Sequence, residues 1–362
     1  MKHHLIDVRT HWRVCLFTLV IGFAGAMLFA WAKMPLPWVT GPLFVTTILA
    51  LSGFQLWIPL WLRPPSLAVL GVLFGSTISP DFVDQVIFWL PSMCAVFVFV
   101  LVTIPFGTAY LVFVGRYDFV TSLLSAAPGG LIPMTLLGQS YNADVRVITV
   151  VQTFRLVLTL LIIPLAFQLF GGYVPSGNIG TGGSFEAYLT KDILPTVLAC
   201  VLGYFLAVIA RFPAPSLMGP IIVIAFLRFN GWIESDIPDS LVAVSQVFIG
   251  ISIALPFNKT RVREIFVDIM HSSASSLIAI SFSVLFALIT AQFVSSSAEA
   301  LILAFAPGGF AEMALIGFGL GLEISFVISH QILRFFLIVL GVPVIMMIAR
   351  GRPDKKNVDN FQ

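Results

Sequence analysis

The sequence has little charge. Only 10% of its 362 residues are Asp, Glu, Lys or Arg, whereas 59% are hydrophobic. Soluble domains carry about 25% charged residues, so this chain has too few to cover a water-facing surface. The composition excludes a soluble enzyme, a nucleic-acid-binding domain and a disordered regulator as descriptions of most of the chain. It predicts an all-α integral membrane protein with many spans.

Residues that could hold a metal ion or a cofactor are also scarce. The three cysteines, Cys15, Cys94 and Cys200, lie in separate apolar runs without metal-ligand spacing. The five histidines do not cluster either. We therefore predict no metal site, no cofactor and no catalytic residue.

Windows of hydrophobicity and breaker residues divide the chain into twelve apolar segments. They are roughly 14–32, 38–56, 66–79, 86–114, 120–140, 145–170, 188–210, 216–232, 241–256, 272–294, 298–320 and 324–348. The sequence GGYVPSGNIGTGG after residue 170 is polar and Gly-rich, which is typical of a linker. We predict a first transmembrane repeat at 1–170, a linker at 171–187, a second repeat at 188–349 and a polar tail at 350–362.

The two halves resemble each other without gaps, which indicates an internal duplication. At an offset of 179 the matching pairs are Ala127/Ala306, Pro128/Pro307, Gly129/Gly308, Gly130/Gly309, Met134/Met313, Gly138/Gly317, Asp144/Glu323, Gln152/Gln331, Arg155/Arg334 and Pro164/Pro343. At an offset of 178, Gly25, Pro37, Gly41 and Pro42 match Gly203, Pro215, Gly219 and Pro220.

Basic residues favour an inverted arrangement of the two repeats. If segments 120–140 and 298–320 enter the membrane and return, each half has five spans, and only Lys33, Lys191 and Arg228 of the loop lysines and arginines lie outside. If every segment crosses, the halves are parallel and more basic residues lie outside, against the positive-inside rule. We expect ten spans in the bacterial inner membrane, with both termini cytoplasmic.

The sequence Pro-Gly-Gly occurs once in each half, at Pro128–Gly130 and Pro307–Gly309. Proline removes a backbone N–H and glycine permits positive φ. These residues therefore predict a broken or re-entrant helix with exposed carbonyls and a free helix N-terminus. The alternative is a simple kink or close helix packing.

Arg155 and Arg334 lie within strongly apolar helices, where an isolated guanidinium costs at least about 2.5–3.5 kcal/mol. Gln152 and Gln331 precede them by three residues, and His330 precedes Arg334 by four, so these side chains share a helix face. They could bind a solute or an ion. Alternatively, the arginines could be structural and paired with freed carbonyls or with Glu312.

Glu312 is an acidic residue within an apolar stretch, and the matching residue of the first half is Pro133. It could carry a coupling proton or pair with Arg334, and the sequence leaves both open. Asp144 and Glu323 lie where helices begin, so the favoured interpretation for them is helix capping.

The repeated APGG…M…G…Q..R pattern resembles the AbrB membrane-protein family of Gram-negative bacteria, over essentially the whole chain. Members carry labels such as transcriptional regulator and ammonia monooxygenase, and the resemblance implies a link to regulation of gene expression. An unrelated small DNA-binding regulator shares the name, but this chain does not resemble it in composition or length.

The favoured function is a secondary transporter or exporter of a small anionic, carboxylate-bearing solute. The expected substrate-binding residues are Arg155, Arg334, Gln152, Gln331, Pro128, Gly129, Gly130, Pro307, Gly308, Gly309, Glu312 and His330. The expected partners are the lipid bilayer and this solute; homo-oligomerisation stays open. A membrane-embedded regulator acting through a partner is the alternative, without direct nucleic-acid binding, because no DNA-reading module has room. A monooxygenase is remote, since its metal cluster has no candidate ligands.

Overall fold

The computed structural model describes residues 2–78, 81–171, 188, 192–212, 214–233, 236–258 and 262–350. Helices make up the regular structure of these residues, and none of them lies in a strand, which confirms the predicted all-α class. The α-helices are α1 (Lys2–Trp31), α2 (Pro37–Leu51), α3 (Arg63–Gly75), α4 (Phe82–Phe113), α5 (Phe119–Ala126), α6 (Leu131–Ser140), α7 (Val145–Phe170), α8 (Ile193–Ile209), α9 (Pro215–Phe229), α10 (Asp239–Ala254), α11 (Val262–Thr290), α12 (Ala298–Phe305), α13 (Phe310–Gly319) and α14 (Ile324–Arg350).

The helices follow the twelve apolar segments predicted from the sequence. Ten segments coincide with one α-helix each, and the two Pro-Gly-Gly segments are each divided into two short helices, α5 with α6 and α12 with α13. The predicted linker after Gly171 and the tail after Arg350 lie outside the described residues. The boundaries of the two sequence repeats stay predictions.

Length and hydropathy identify the helices that can cross a bilayer. Within the described residues, six apolar stretches are long enough: His11–Trp31, Asp84–Phe113, Val145–Phe170, Asp239–Phe257, Ile265–Thr290 and Ile324–Ala349. The apolar helices α2, α3, α8, α9 and α13 are shorter. Together these helices indicate a multi-pass membrane protein.

The helices form two compact units, each of which draws residues from both halves of the sequence. Unit 1 comprises residues 1–86, 161–261 and 314–325, and unit 2 comprises residues 87–160, 262–313 and 326–362. In unit 1, α1 packs on α2, α8 packs on α9, and α10 packs on α2 and α3.

Two glycine pairs allow close helix packing in unit 1. A Cβ placed on Gly25 would lie 2.8 Å from the carbonyl oxygen of Gly41, and one on Gly203 would lie 2.5 Å from that of Gly219. Both distances are too short for a side chain, so only glycine allows α1 to approach α2 and α8 to approach α9 this closely. The glycines that match between the two halves therefore meet within each half.

Candidate functional site

Unit 2 contains both helix breaks that the Pro-Gly-Gly sequences predict. After α5 the chain is extended at Ala127, and α6 begins after Gly130, which has a φ of 88°. This positive φ suits glycine and disfavours other residues. After α12 the chain is extended at Ala306, and α13 begins at Phe310. Each break therefore leaves carbonyl groups at the end of one short helix without the N–H donors of a continuous helix.

The same tight turn forms at both breaks. The Gly129 N–H donates to the Ala127 oxygen at 2.9 Å, and the Gly308 N–H donates to the Ala306 oxygen at 2.8 Å. The N-terminal ends of the first short helices are also alike, because Asp118 caps α5 and Ser297, at an offset of 179, caps α12. The two broken helices share local geometry as well as sequence.

Two buried glutamines bind the carbonyl oxygens at the breaks. Gln152 Nε2 donates to the oxygens of Leu124 at 2.7 Å and Ala127 at 2.8 Å. Gln331 Nε2 donates to the equivalent oxygens of Leu303 at 2.5 Å and Ala306 at 3.2 Å. Each amide thus replaces two of the donors that the interrupted helix lacks.

The two arginines bind further carbonyls of the same breaks. Arg155 Nη1 donates to the oxygens of Ser125 at 3.2 Å and Ala126 at 3.3 Å, and its Nη2 donates to Gln152 Oε1. The freed carbonyls are therefore partners of Arg155, which was one of the alternatives that the sequence left open.

Arg334 makes a related but different set of bonds. Its Nη1 donates to the oxygens of Phe305 (3.1 Å) and Ala306, and its Nη2 donates to the Gly308 oxygen at 2.7 Å. Because Arg334 Nη2 reaches the Pro-Gly-Gly turn, it does not bond to its own glutamine, and Gln331 Oε1 has no hydrogen-bond partner among the described residues. At the offset of 179 the two arginines share one acceptor position, Ala126 and Phe305, and differ at the others.

Burial and charge distinguish this arginine pair from surface residues. The two side chains are only 5% and 2% exposed, and their guanidinium groups are close enough for their charges to interact. The Nε of each has no hydrogen-bond partner within the described residues. Carbonyl oxygens satisfy the Nη donors but carry only partial charge, so they do not neutralise the two cations.

Glu312 lies at the beginning of α13, in the third position of the helix. Its carboxylate oxygens are so close to Gly309 that a Cβ there would overlap them. A carboxylate in this place complements the helix N-terminus.

Asp144 caps α7, as predicted, by accepting from the N–H groups of Arg146 at 3.0 Å and Val147 at 3.2 Å. Glu323 directly precedes α14, and partial burial raises the pKa of its carboxyl.

The structure adds Ser92, in α4, which the sequence did not indicate. Its Oγ lies 2.8 Å from Nε2 of His330, and both side chains are fully buried. His330 Nδ1 lies 2.8 Å from the Phe326 oxygen. Ser92 is a single serine in an apolar helix, and no periodicity links it to His330. A binding role for the predicted site residues stays a prediction.

Known proteins are similar to this chain over most of its length. "Uncharacterized protein YhjN" of Bacillus subtilis (strain 168) is 25% identical over 360 residues, 91% of each chain. "Putative regulator AbrB" of Escherichia coli (strain K12) is 22% identical over 343 residues, 92% of this chain and 94% of that protein. No solved structure matches the chain. The family described as "Transition state regulatory protein AbrB" matches residues 38–350. That match spans both helix breaks and both buried arginines, so the chain belongs to the AbrB family.

Proposed function

We propose that this protein is a secondary transporter of a small anionic, carboxylate-bearing solute, and that unit 2 contains the solute site. The observation that carries the proposal is the pair of buried arginines, Arg155 and Arg334, at two helix breaks. Two charges that carbonyl oxygens do not neutralise are costly within a membrane protein unless an anion compensates them. We propose no catalytic role.

The chemistry of the breaks fits a carboxylate better than a cation. A guanidinium group pairs with a carboxylate through directed hydrogen bonds, and the Nε–H of each arginine has no partner in the part of the chain that the structure describes. The helix α6 begins directly after the first break, and helix N-termini carry partial positive charge. All these groups attract a negative charge.

We further propose that the halves are inverted repeats of five spans each, with the broken helices re-entrant. The six long helices together with α2, α3, α8 and α9 number ten, which suits this count. The shared bonds of Gln152 and Gln331 support a common origin of the halves. Transporters built from inverted repeats bind solutes at broken helices. We propose that both termini lie in the cytoplasm and that the protein lies in the bacterial inner membrane.

The second candidate is a membrane-embedded regulator that acts through a partner protein, without direct contact with nucleic acid. The printed name of the Escherichia coli relative favours it. A regulator needs no solute flux, so a variant that cannot transport but retains full activity in cells would favour this candidate.

The proposal is tested first by a thermal-stability screen of the purified protein against small mono- and dicarboxylates and inorganic anions. A ligand at 100 times its Kd stabilises the folded protein by about 2.7 kcal/mol. The best probe is then used in a flux assay with proteoliposomes. Flux that Arg155→Gln or Arg334→Gln abolishes, and that Arg146→Gln preserves, supports the proposal. Arg146 is the matched control because its side chain is 53% exposed. No stabilisation and no flux with any probe would contradict it.

A further inference from the structure

A second polar site lies in unit 2, one helical turn before Arg334, and it consists of His330, Ser92 and two backbone carbonyls. The imidazole and the hydroxyl are both fully buried. The distances are 2.8 Å from Nδ1 to the Phe326 oxygen, 2.8 Å from Nε2 to Ser92 Oγ, and 2.8 Å from Ser92 Oγ to the Trp89 oxygen. Three short contacts therefore join five heavy atoms, which belong to two carbonyl groups, one imidazole and one hydroxyl.

The number of protons available to these contacts depends on the charge of the imidazole. A carbonyl oxygen can only accept, so Nδ1 carries a proton and donates to the Phe326 oxygen. In the neutral imidazole Nε2 is then an acceptor, and the single hydroxyl proton of Ser92 serves either Nε2 or the Trp89 oxygen. In the imidazolium Nε2 donates to Ser92 Oγ, and the hydroxyl proton serves the Trp89 oxygen. The charged form alone fills all three contacts.

We infer that His330 and Ser92 form a proton-binding site that couples proton uptake to anion binding. The proton adds to the lone pair of His330 Nε2, and the hydroxyl hydrogen of Ser92 rotates from Nε2 toward the Trp89 oxygen. No heavy atom has to move and no other bond breaks. The coupling rests on the proposed transport function, whereas the proton binding does not.

The charges around His330 explain how an anion controls its protonation. The buried charged and titratable residues in the described part of unit 2 are Arg155, His271, Glu312, His330 and Arg334. Residues 87–100 of α4, which include Ser92, contain no acidic or basic residue. Arg334 lies one helical turn after His330, and its charge interacts with that of Arg155. Burial and the guanidinium of Arg334, one helical turn away, both disfavour a positive charge on the imidazole.

An anion at the arginines reverses this balance. A carboxylate offsets the positive charge and stabilises the imidazolium, and by reciprocity a bound proton strengthens anion binding. Glu312 is the other acid–base candidate, and its carboxylate lies against Gly309 at the start of α13. The residue of the first half that matches His330 is Val151. The two halves therefore share the arginine but not the histidine, and the proposed coupling site belongs to the second half alone.

Nuclear magnetic resonance of the full-length protein, labelled with ring-¹⁵N histidine in lipid nanodiscs, tests proton binding without any solute. The signal absent from His330→Gln identifies His330. We expect it to change from the Nδ1–H tautomer to the imidazolium on acidification. In Ser92→Ala the Nε2–H group of the imidazolium lacks an acceptor, so the midpoint of the His330 titration should move to lower pH by about one unit. His271→Gln is the matched control and should leave it unchanged. A His330 that stays neutral at every pH at which the protein is folded would overturn the inference.

Proteoliposomes test the coupling, with succinate as the dicarboxylate probe and with the membrane potential clamped. An inward proton gradient should drive succinate uptake by the wild type and by His271→Gln. His330→Gln should lose proton-driven uptake, and any succinate exchange that remains should not respond to the proton gradient. If uptake by His330→Gln still follows the proton gradient, the inference fails and the proposed function stands. If the wild type transports neither succinate nor any other carboxylate, the proposed function and the coupling fail together.

Discussion

Gln152 and Gln331 make the same two hydrogen bonds in the two halves of the chain. Each side-chain amide donates to the carbonyl oxygens 28 and 25 residues earlier, at the end of a short helix that a Pro-Gly-Gly turn interrupts. Both glutamines are about 1% exposed. The amide therefore supplies donors to buried carbonyls that the interrupted helix leaves without them, and this makes the helix break tolerable inside an apolar unit.

The first prediction concerns these amides. Gln152→Met or Gln331→Met should lower the free energy of unfolding by about 1–3 kcal/mol, because the buried carbonyl of Leu124 or Leu303 loses its donor and a second carbonyl loses one of its donors. The shift is measured as thermal unfolding of the detergent-solubilised protein. Gln139→Met is the matched control, since Gln139 is exposed, and it should change stability little. Equal stability of all three variants would show that water satisfies the breaks.

A second prediction concerns the close glycine contacts of unit 1. Gly25→Ala and Gly203→Ala should destabilise the protein, because the new Cβ meets the carbonyl oxygen of Gly41 or Gly219 and the helices must separate. Gly341→Ala in α14 is the control: its Cβ meets no atom within 4 Å. There the change should be neutral or stabilise by up to about 1 kcal/mol. If Gly341→Ala destabilises the protein by the same amount, the close helix contacts do not explain the effect of Gly25→Ala and Gly203→Ala.

The sequence predicted the helices and the two helix breaks well. Length and hydropathy determine where apolar helices lie, and Pro-Gly-Gly leaves the backbone few alternatives to a break. Arginine side chains within an apolar helix need oxygen atoms as hydrogen-bond partners. The sequence therefore already indicated the freed carbonyls as one possible set of partners for Arg155 and Arg334.

Other features depend on tertiary packing and could not be read from local patterns. Ser92 and His330 are 238 residues apart, and Ser92 looks like any small residue in an apolar helix. The different bonds of Arg155 and Arg334 could not be predicted either, since the two motifs match at both Gln and Arg. Likewise, the repeat marked Gly25 and Gly41 as special, but it did not show that they touch.

A third prediction concerns the stability of the protein at high pH. Tyr117, in the loop between α4 and α5, donates to Asp268 Oδ1 at 2.5 Å. Burial, and next this hydrogen bond, raise the pKa of the Tyr117 hydroxyl above its usual value. Because folding raises this pKa, the protonated hydroxyl stabilises the folded state. This stabilisation is complete below the pKa of tyrosine in the unfolded chain, about 10, and is lost as the pH rises above that value.

Thermal unfolding between pH 8 and pH 11 checks this. Wild-type stability should fall above pH 10, and Tyr117→Phe should be less stable at pH 8 with a smaller further loss. Tyr204→Phe is the control because Tyr204 is exposed in α8, and it should follow the wild type. If the stability of Tyr117→Phe falls with pH in the same way as that of the wild type, ionisation of Tyr117 does not cause the loss of stability.

The fourth prediction concerns topology. If the repeats are inverted, a tag in the segment 174–184 is accessible from the periplasm and a tag after Arg350 only from the cytoplasm. An odd number of crossings separates these two points in the five-span arrangement. Accessibility of both tags from one side would reject it and favour six parallel spans in each half.

The last prediction separates the structural and the solute-binding roles of the arginines. Arg155→Gln and Arg334→Gln should both lower stability, because each removes donors from buried carbonyls, and Arg334 binds three of them. A role in anion binding predicts something more: in at least one position, Arg→Lys should restore folding but not affinity for the carboxylate probe, since an ammonium lacks the fork of a guanidinium. The measurements are unfolding temperature and probe affinity of each variant that remains folded, with Arg146→Gln as the control. If all folded variants bind the probe as tightly as the wild type, the arginines serve the helix breaks alone and the anion site lies elsewhere.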